Sequence, residues 1–447
     1  MISPILVMLQ SLGMKIVKSK QTINPFGGIN FVFETLDELG IDKILETDLP
    51  TLSPQCKYQW KDLLYSFWSI YLCGGTHIED IDRNLKHHLK NNPFVQVPSP
   101  DRIIDRFKSL SVTDDYLETD RGKHTHQFNT HKLLNSLLLK ITKHCNLAES
   151  NNQICDYDNT VLHTNKADSE FTYLKDFGYQ PGIAFINNHV AFIENRNGKS
   201  DAQTLQDKTL ENMFASFKEQ DIKINQFRAD SASYLLLVLR MLEKEVDKFY
   251  IRARRSANLG KAIAAIEDWT EIELKGEKAY RAAIEYTPFK GATARRHGIK
   301  QEDLSTYRIV VTKQARKDGQ IDIFTGDAYL YSMIITNDRE MTMDEVVIFY
   351  NQRGKTEREF DTLKNDFGWK GLAFSKLAQN TVFLTFTAIC KNLYQYIIES
   401  YSKKFKHLKS TFQLKKFIFR FISLPAKWVK HSGQKKLRIY AELPFRT

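Results

Sequence analysis

Cysteine is scarce in this chain and always solitary: five residues, at positions 56, 73, 145, 155 and 390, with no Cys-x-x-Cys pair. An odd, scattered set excludes a disulfide framework and a thiolate zinc site, and it fits a reducing compartment. Long apolar runs are missing as well. Thr381 to Cys390 covers ten residues before Lys391 and Asn392 interrupt it, too short to cross a bilayer. The first thirteen residues are apolar but lack a basic leading segment, so no signal peptide is expected, and Met14 opens a more ordinary start. A soluble cytoplasmic protein follows from these absences. Acid is also in deficit, with 53 Asp and Glu against 64 Lys and Arg, a net +11. From Tyr401 to Thr447 there are ten Lys and three Arg against Glu442 alone. Such an excess points to a polyanionic partner, DNA phosphate first. What the chain does have is size: 447 residues at 42% hydrophobic content suffice for two or three domains.

Residues 1–150 read as a helical front region, with apolar residues at helical spacing in 29–39, 60–72 and 133–141. Ser99-Pro100 is a helix start, Ser as cap and Pro in the first turn. The helix behind it would bury Ile103, Ile104, Phe107 and Leu110 and turn Arg102, Arg106 and Lys108 outward. That suits a recognition helix and a bundle surface equally. His124 and His126 fall in a polar linker without an acid or Cys cluster, so no metal is expected there. From 151 to 259 the pattern is α/β: a strand at 154–162, a hairpin of 182–186 and 189–193 about Asn187-Asn188, then helix, strand, helix and strand to 254. Residues 260–337 look like an all-β insertion, with β-branched and aromatic runs at 270–274, 280–286, 307–312 and 329–336. The α/β layer resumes over 338–402, including a long core helix at 372–401. Residues 403–447 read as a basic helical tail in which Phe405, Phe412, Phe417, Phe419, Phe421 and Trp428 interleave with cations.

The most informative stretch is 350–364, YNQRGKTEREFDTLK. On one helix, Arg353, Glu357 and Lys364 lie roughly 60°, 20° and 40° from Tyr350, all to the same side. A phenol, a guanidinium, a carboxylate and an ammonium therefore share one narrow stripe. Phe349, Phe360, Leu363 and Phe367 take the adjacent arc and would bury it. Thr342 with Glu345 makes a capping box at the start, and Gly354 costs about 1 kcal/mol inside such a helix. A solvated face needs no such set, so a site is expected. Other carboxylates could meet it. Asp156 and Asp158 point to one face of the first strand. Asp230 closes a strand at 222–229, at the edge where α/β sheets place ligands. Carboxylates converging there without a cation would raise one another's pKa. Two Mg²⁺ (or Mn²⁺) ions about 3.5–4 Å apart remove that cost and suit in-line phosphoryl displacement.

The spacing Y-x2-R-x3-E-x6-K, at Tyr350, Arg353, Glu357 and Lys364, resembles the signature of bacterial insertion-sequence transposases of the DDE type. So do Asp158-Asn159-Thr160 on the first strand, Tyr179-Gln180-Pro181 before the hairpin, Arg228-Ala229-Asp230-Ser231, and a β insertion between the second Asp and the Glu. The likeness spans about 150–400. It implies an α/β fold: a ribonuclease-H-like catalytic core interrupted by the all-β insertion, behind an N-terminal helical domain that binds DNA or dimerises. It also implies metal-dependent hydrolysis of phosphodiesters at transposon ends and strand transfer into target DNA, by cut-and-paste. The partners it implies are double-stranded DNA, as inverted-repeat ends and target, and a second copy of the chain on that DNA, at a bacterial nucleoid. Carried over residue by residue, Asp158, Asp230 and Glu357 would be the catalytic, metal-binding triad. The Asp-x-Thr match favours Asp158, leaving Asp156 as a further metal carboxylate. Arg353 and Lys364 would hold phosphates, Tyr350 and Arg228 would lie on DNA, and Trp269 would stack a flipped base.

Two other readings compete. Asp156-x-Asp158-x-Thr160 also resembles the first motif of haloacid-dehalogenase-like phosphatases, with Gly326-Asp327 as the distant acidic motif. Tyr331 stands where that motif needs a second acid, and the stripe and basic tail go unexplained. The other is a transposase-derived DNA-binding protein that no longer cuts. The chain keeps all three carboxylates, which argues against a decayed site.

Overall fold

A computed structural model describes residues 21–119, 124–147, 152–274, 276–321 and 326–441. The apolar first thirteen residues lie outside them, as does Glu442. Four helices come first: α1 (Ile29–Glu38), α2 (Ile41–Asp48), α3 (Trp60–Leu72) and α4 (Pro100–Leu110). α4 begins as the sequence predicts, Ser99 extended before Pro100, and buries Ile103, Phe107 and Leu110. These helices do not close a core of their own. Phe33, Trp68 and Phe107 belong to one apolar cluster with Phe383, Phe386 and Tyr401, far along the chain. Trp68 Nε1 donates to the Phe386 carbonyl at 2.9 Å, and Tyr401 OH to that of Phe31 at 2.8 Å.

The expected polar linker is instead a hairpin, β1 (Asp115–Glu118) and β2 (Thr125–Asn129). Its pattern is hidden because β2 buries His126, Gln127 and Asn129 along with Phe128, without apolar alternation. Gln127 and Asn129 donate to Asp114 at 2.7 and 2.8 Å, and His126 Nδ1 lies 3.0 Å from Ser200 Oγ. Helix α5 (Lys132–His144) leads to β3 (Ile154–Asn159). A small three-stranded sheet follows, of β4 (Leu162–His163), β5 (Glu170–Phe171) and β6 (Phe177–Tyr179). Next comes the expected hairpin, β7 (Gly182–Ile186) and β8 (His189–Arg196). Asn187 and Asn188 have φ of 51° and 70°, the two left-handed residues that a type I′ turn demands. Then come α6 (Gln206–Glu219), β9 (Gln226–Ala229), α7 (Leu236–Glu245) and β10 (Lys248–Arg252).

β11 (Thr270–Leu274), β12 (Glu277–Tyr286), β13 (Tyr307–Ala315) and β14 (Tyr329–Thr336) occupy the segment expected as an all-β insertion. They do not form a separate layer, and a short helix, Ala292–Arg296, lies among them. β14 pairs with β10, so these strands extend a single mixed sheet of eleven, in the order β1-β2-β8-β7-β3-β9-β10-β14-β13-β12-β11. β-branched composition marks a strand but says nothing about which sheet it joins. β9 lies parallel to both β3 and β10 at the centre, and the remaining pairings are antiparallel. Helices cover both faces. Phe185, Val190 and Ile193 share a core with α5 and the front helices, whereas Phe192, Phe227 and Ile251 share one with α6 and α7.

The chain continues through α8 (Met343–Asn351), α9 (Gly354–Asp366) and α10 (Leu377–Lys404). The expected helical tail holds only Leu414–Phe417 and a π turn, Ile418–Ile422, before a hairpin of β15 (Ala426–His431) and β16 (Gln434–Ile439). Among the described residues no helix is long and apolar enough to cross a membrane. Phe107 is fully buried, its ring centroid 4.9 Å from that of Phe67 and 4.8 Å from that of Phe386. Phe107→Ala is expected to cost about 3–5 kcal/mol, because it opens the core shared by α4 and α10. A urea midpoint equal to that of the unmutated chain would contradict the shared core.

Candidate active site

The site is built where β3 and β9 end. These strands are parallel, with Asp156 beside Arg228 and Tyr157 beside Ala229. The offset of 72 residues is the same for Asp158 and Asp230, so extending the register two steps from Asp156 and Arg228 carries Asp158, near the end of β3, toward Asp230, the residue just past β9. Tyr157 points to the other face and is buried there; Gly182 on β7 leaves it room, since a Cβ would lie 2.1 Å from Tyr157 Oη.

Asp156 and Arg228 are not facing a ligand. Arg228 Nε and Nη2 donate to the two Asp156 oxygens, both at 2.7 Å, with side chains 5% and 3% exposed. The third arm, Nη1, donates to the Phe349 carbonyl at 2.7 Å, and the guanidinium lies 4.7 Å from the Phe349 ring centroid. Both groups are therefore withdrawn from the roles expected for them, Asp156 as a metal carboxylate and Arg228 on DNA. The phosphatase reading meets the same obstacle, for its nucleophile would be Asp156.

Asp158 is in a different position. Its Oδ1 accepts the Asn159 N–H at 2.9 Å, and Arg353 Nη2 reaches its Oδ2 at 2.7 Å. Burial pushes its pKa up to about 6; Arg353 opposes the rise, while the charges of Asp230 and Glu357 add to it. That coupling places all three carboxylates in one electrostatic neighbourhood. Asp230 Oδ1 accepts the Ala232 N–H at 2.9 Å and so caps the 3₁₀ turn Ser231–Ser233. Arg254 braces the same turn: its Nε donates to the Ser231 carbonyl at 2.6 Å and its Nη2 to that of Ala232 at 3.3 Å. Burial lowers the Arg254 pKa, with Asp230 and Asp201 opposing. Sequence reasoning missed Arg254, although Ala253-Arg254 directly follows a third parallel strand, β10. Glu357 is exposed in the first turn of α9. The far side of α9 is tied down where Lys391 Nζ, buried on α10, meets Glu359 at 2.5 Å and the Asn188 carbonyl at 2.7 Å.

The stripe does not lie on one helix. The capping box forms as expected, Glu345 N donating to Thr342 Oγ1 and Thr342 N to Glu345. The helix then breaks after Asn351, and α9 starts at Gly354. At the break Arg353 N bonds the Tyr350 carbonyl at 3.0 Å and Thr356 N that of Arg353 at 2.9 Å, so the chain tightens to i→i−3 bonding. The Phe349 carbonyl, which Arg353 N would reach in a regular helix, is the one taken by Arg228. Tyr350 is buried, its pKa raised by burial with Arg353 and Arg252 opposing. Burial alone would lower the Arg353 pKa, but facing Asp158, Tyr350, Asp230 and Asp156 raises it. Its Nε is buried with no hydrogen-bond partner among the described residues. Lys364 is partly buried and lowered by that burial, with Asp361 opposing and Lys370 adding. Trp269 donates to the Ile266 carbonyl at 3.0 Å, and Lys313 Nζ sits 3.8 Å from its ring centroid.

Three carboxylates offer hard oxygen donors, the chemistry that Mg²⁺ or Mn²⁺ selects. As arranged, with Arg353 on Asp158, no group of three His, Cys, Asp or Glu among the described residues is close enough to hold a metal ion. The donor set fits; the spacing has still to close.

Two outcomes follow from these charges. The fold favours the protonated form of Asp158, so its contribution to stability is complete below the ordinary carboxylate range and is lost as pH rises through about 6. Asp158→Asn is expected to remove that fall, and denaturant midpoints with the same pH profile in both proteins would refute it. Arg228→Met leaves a buried carboxylate unpaired and is expected to cost about 3–5 kcal/mol. Adding Asp156→Leu should recover part of the loss; if the double variant is the less stable of the two, the pair does not act as described.

The profile of one protein family, described as Transposase DDE domain group 1, matches residues 18–447. No curated protein sequence matches the chain. Among solved structures it is similar to the cryo-EM structure of a piggyBac transposase synaptic complex with hairpin DNA. The identity is 10%, over 88% of this chain and 78% of that one, with a TM-score of 0.44.

Proposed function

The chain belongs to the Transposase DDE domain group 1 family, and from that membership we propose that it is a DNA transposase whose reactive centre is Asp158, Asp230 and Glu357. The observation that supports the assignment is the parallel register of β3 and β9, Tyr157 beside Ala229, whose next step would pair Asp158 with Asp230, together with the charge of Glu357 that raises the Asp158 pKa from α9. On this reading the central parallel strands and the β7–β8 hairpin are a ribonuclease-H-like core. β11–β14 are its insertion, entering between Asp230 and Glu357.

The reaction is hydrolysis of a phosphodiester at each element end, releasing a 3′-hydroxyl, which then attacks a target phosphodiester and displaces its 3′ oxygen. Asp158, Asp230 and Glu357 would hold two Mg²⁺ or Mn²⁺ ions, which supply charge neutralisation and activation of the attacking oxygen. The chain's own contributions are positional. Asp156 and Arg228 fix the register, and Arg254 holds the turn that presents Asp230. Arg353, with a buried Nε free to donate, takes a phosphate oxygen, and Lys364 supplies a second cation. Tyr350 would pack or hydrogen-bond near the same DNA strand. Trp269 would stack a flipped base on the ring face away from Lys313, whose Nζ lies 3.8 Å from the ring centroid. Pairing two inverted-repeat ends calls for two copies of the chain on double-stranded DNA, acting at the nucleoid of a bacterial cytoplasm.

Glu357→Gln is expected to lower Mg²⁺-dependent cleavage of the element ends by at least about 10³-fold, the worth of several kcal/mol of lost charge stabilisation. Binding of the same ends should survive. Equal cleavage by both proteins would remove Glu357 from the centre, and hydrolysis of small phosphate esters lost only in Asp156→Asn would favour the phosphatase.

A further inference from the structure

β15 and β16 pair residue for residue from Ala426 with Ile439 to His431 with Gln434. Their two-residue turn, Ser432-Gly433, has φ of 50° and 80°, the left-handed pair that joins twisted strands tightly. Paired residues share a face, so the ribbon has two unlike sides. On one, Ala426 is buried, Leu437 and Ile439 are half-buried, and Trp428 Nε1 donates to Asn30 Oδ1 at 3.1 Å. A bridge between Asn24 and Ala426 and a bond from Tyr440 N to the Pro425 carbonyl fix the base. On the other side Lys427 faces Arg438 and Val429 faces Lys436, whereas Lys430 and Lys435, paired at the exposed tip, continue the first side beyond Trp428 and Leu437.

No Asp or Glu occurs between Tyr401 and Ala441, and none of the five cations joins an ion pair among the described residues. Two like-charged pairs stand directly opposite one another. Such pairs destabilise a hairpin, so a ribbon that had only to fold gains nothing from them. A polyanion that takes in the ribbon from its basic face to its tip turns the repulsion into attraction. The ribbon's dimensions select the polyanion: six residues per strand span about 20 Å, and a two-stranded ribbon is a shape that the major groove of B-DNA admits. Duplex DNA carries one charge per ~1.7 Å of axis, enough phosphates alongside to meet every cation. We propose that the β15–β16 ribbon is a double-stranded DNA contact, mounted by the apolar base of one face on the front helices and presenting Lys427, Lys436 and Arg438 on the other face, with Lys430 and Lys435 at the projecting tip, to the backbone. The proposal rests on the transposase reading and adds to it a surface outside the reactive centre.

The test uses the full chain carrying Glu357→Gln, so that binding is read without cleavage, and a blunt duplex of mixed sequence as probe in a salt titration of fluorescence anisotropy. Lys427→Gln, Lys436→Gln and Arg438→Gln together should reduce the slope of log affinity against log salt by about 2.7, and affinity at low salt by at least about tenfold. The thermal midpoint of the free protein should hold or rise, since a like-charge pair has gone. Lys430→Gln with Lys435→Gln, at the tip where nothing packs, is the second variant and should reduce the slope by about 1.8. Unchanged slopes in both variants overturn the ribbon alone, leaving the reactive centre untouched. A parent protein that binds no duplex overturns both readings. Retention on phosphatidylserine vesicles in preference to duplex, lost in the variants, would replace DNA by an anionic membrane surface.

Discussion

One buried ion pair, Asp156 with Arg228, sets the geometry from which the rest of the site follows. It lies between neighbouring parallel strands, so it fixes β3 and β9 in register as well as joining them. A slip of one residue would turn every side chain to the opposite face of the sheet. The pair therefore decides that Asp158 and Asp230, two steps further on, emerge on the same side. Its third hydrogen bond takes the Phe349 carbonyl and ties the end of α8 to the strand edge. Desolvating both charges is costly, and five-donor guanidinium geometry offsets that cost by satisfying both carboxylate oxygens and a carbonyl at once.

Around this pair the chain interleaves its charges. Burial and the charges of Asp230 and Glu357 hold Asp158 well above the usual range, although Glu357 itself is exposed on α9. Arg353 is buried against Asp158, Arg254 stands behind the Asp230 turn, and Lys364 lies along α9. A protein with a large excess of positive charge thus keeps a group of carboxylates at one strand edge.

Much of this was legible in the residues. Local chemistry announced itself: Asn187-Asn188 as a hairpin turn, Ser99-Pro100 as a helix start, Thr342 with Glu345 as a capping box, and Asp158 and Asp230 as strand-end acids. Hidden features were those decided by distant partners. Near Tyr350 only Gly354 hints at the helix break, and the donor that takes the Phe349 carbonyl, Arg228, is 121 residues away from it. Arg228 itself reads as a phosphate ligand until Asp156 is seen across the ladder; the repeated offset, Asp156-x-Asp158 against Arg228-x-Asp230, was the available signal. β2 escaped because a strand that buries Gln127 and Asn129 has no apolar alternation to detect. β15–β16 escaped because lysine-rich composition suggests a solvated helix more readily than a ribbon with one dry face.

The core shared by the front helices and α10 also sets a clock. Asn30 and Trp428 touch across 398 residues of sequence. At roughly 5–20 residues per second, α1 leaves the ribosome on the order of 20–80 s before its last partner exists. During that interval its apolar face has only chaperones, or the half-made chain, to cover it. Loop closure over so long a span also makes the joining step slow. The central parallel strands, made midway, thus cannot be locked against the front region until synthesis is nearly complete. A ribosome that stalls early releases a chain with no closed core.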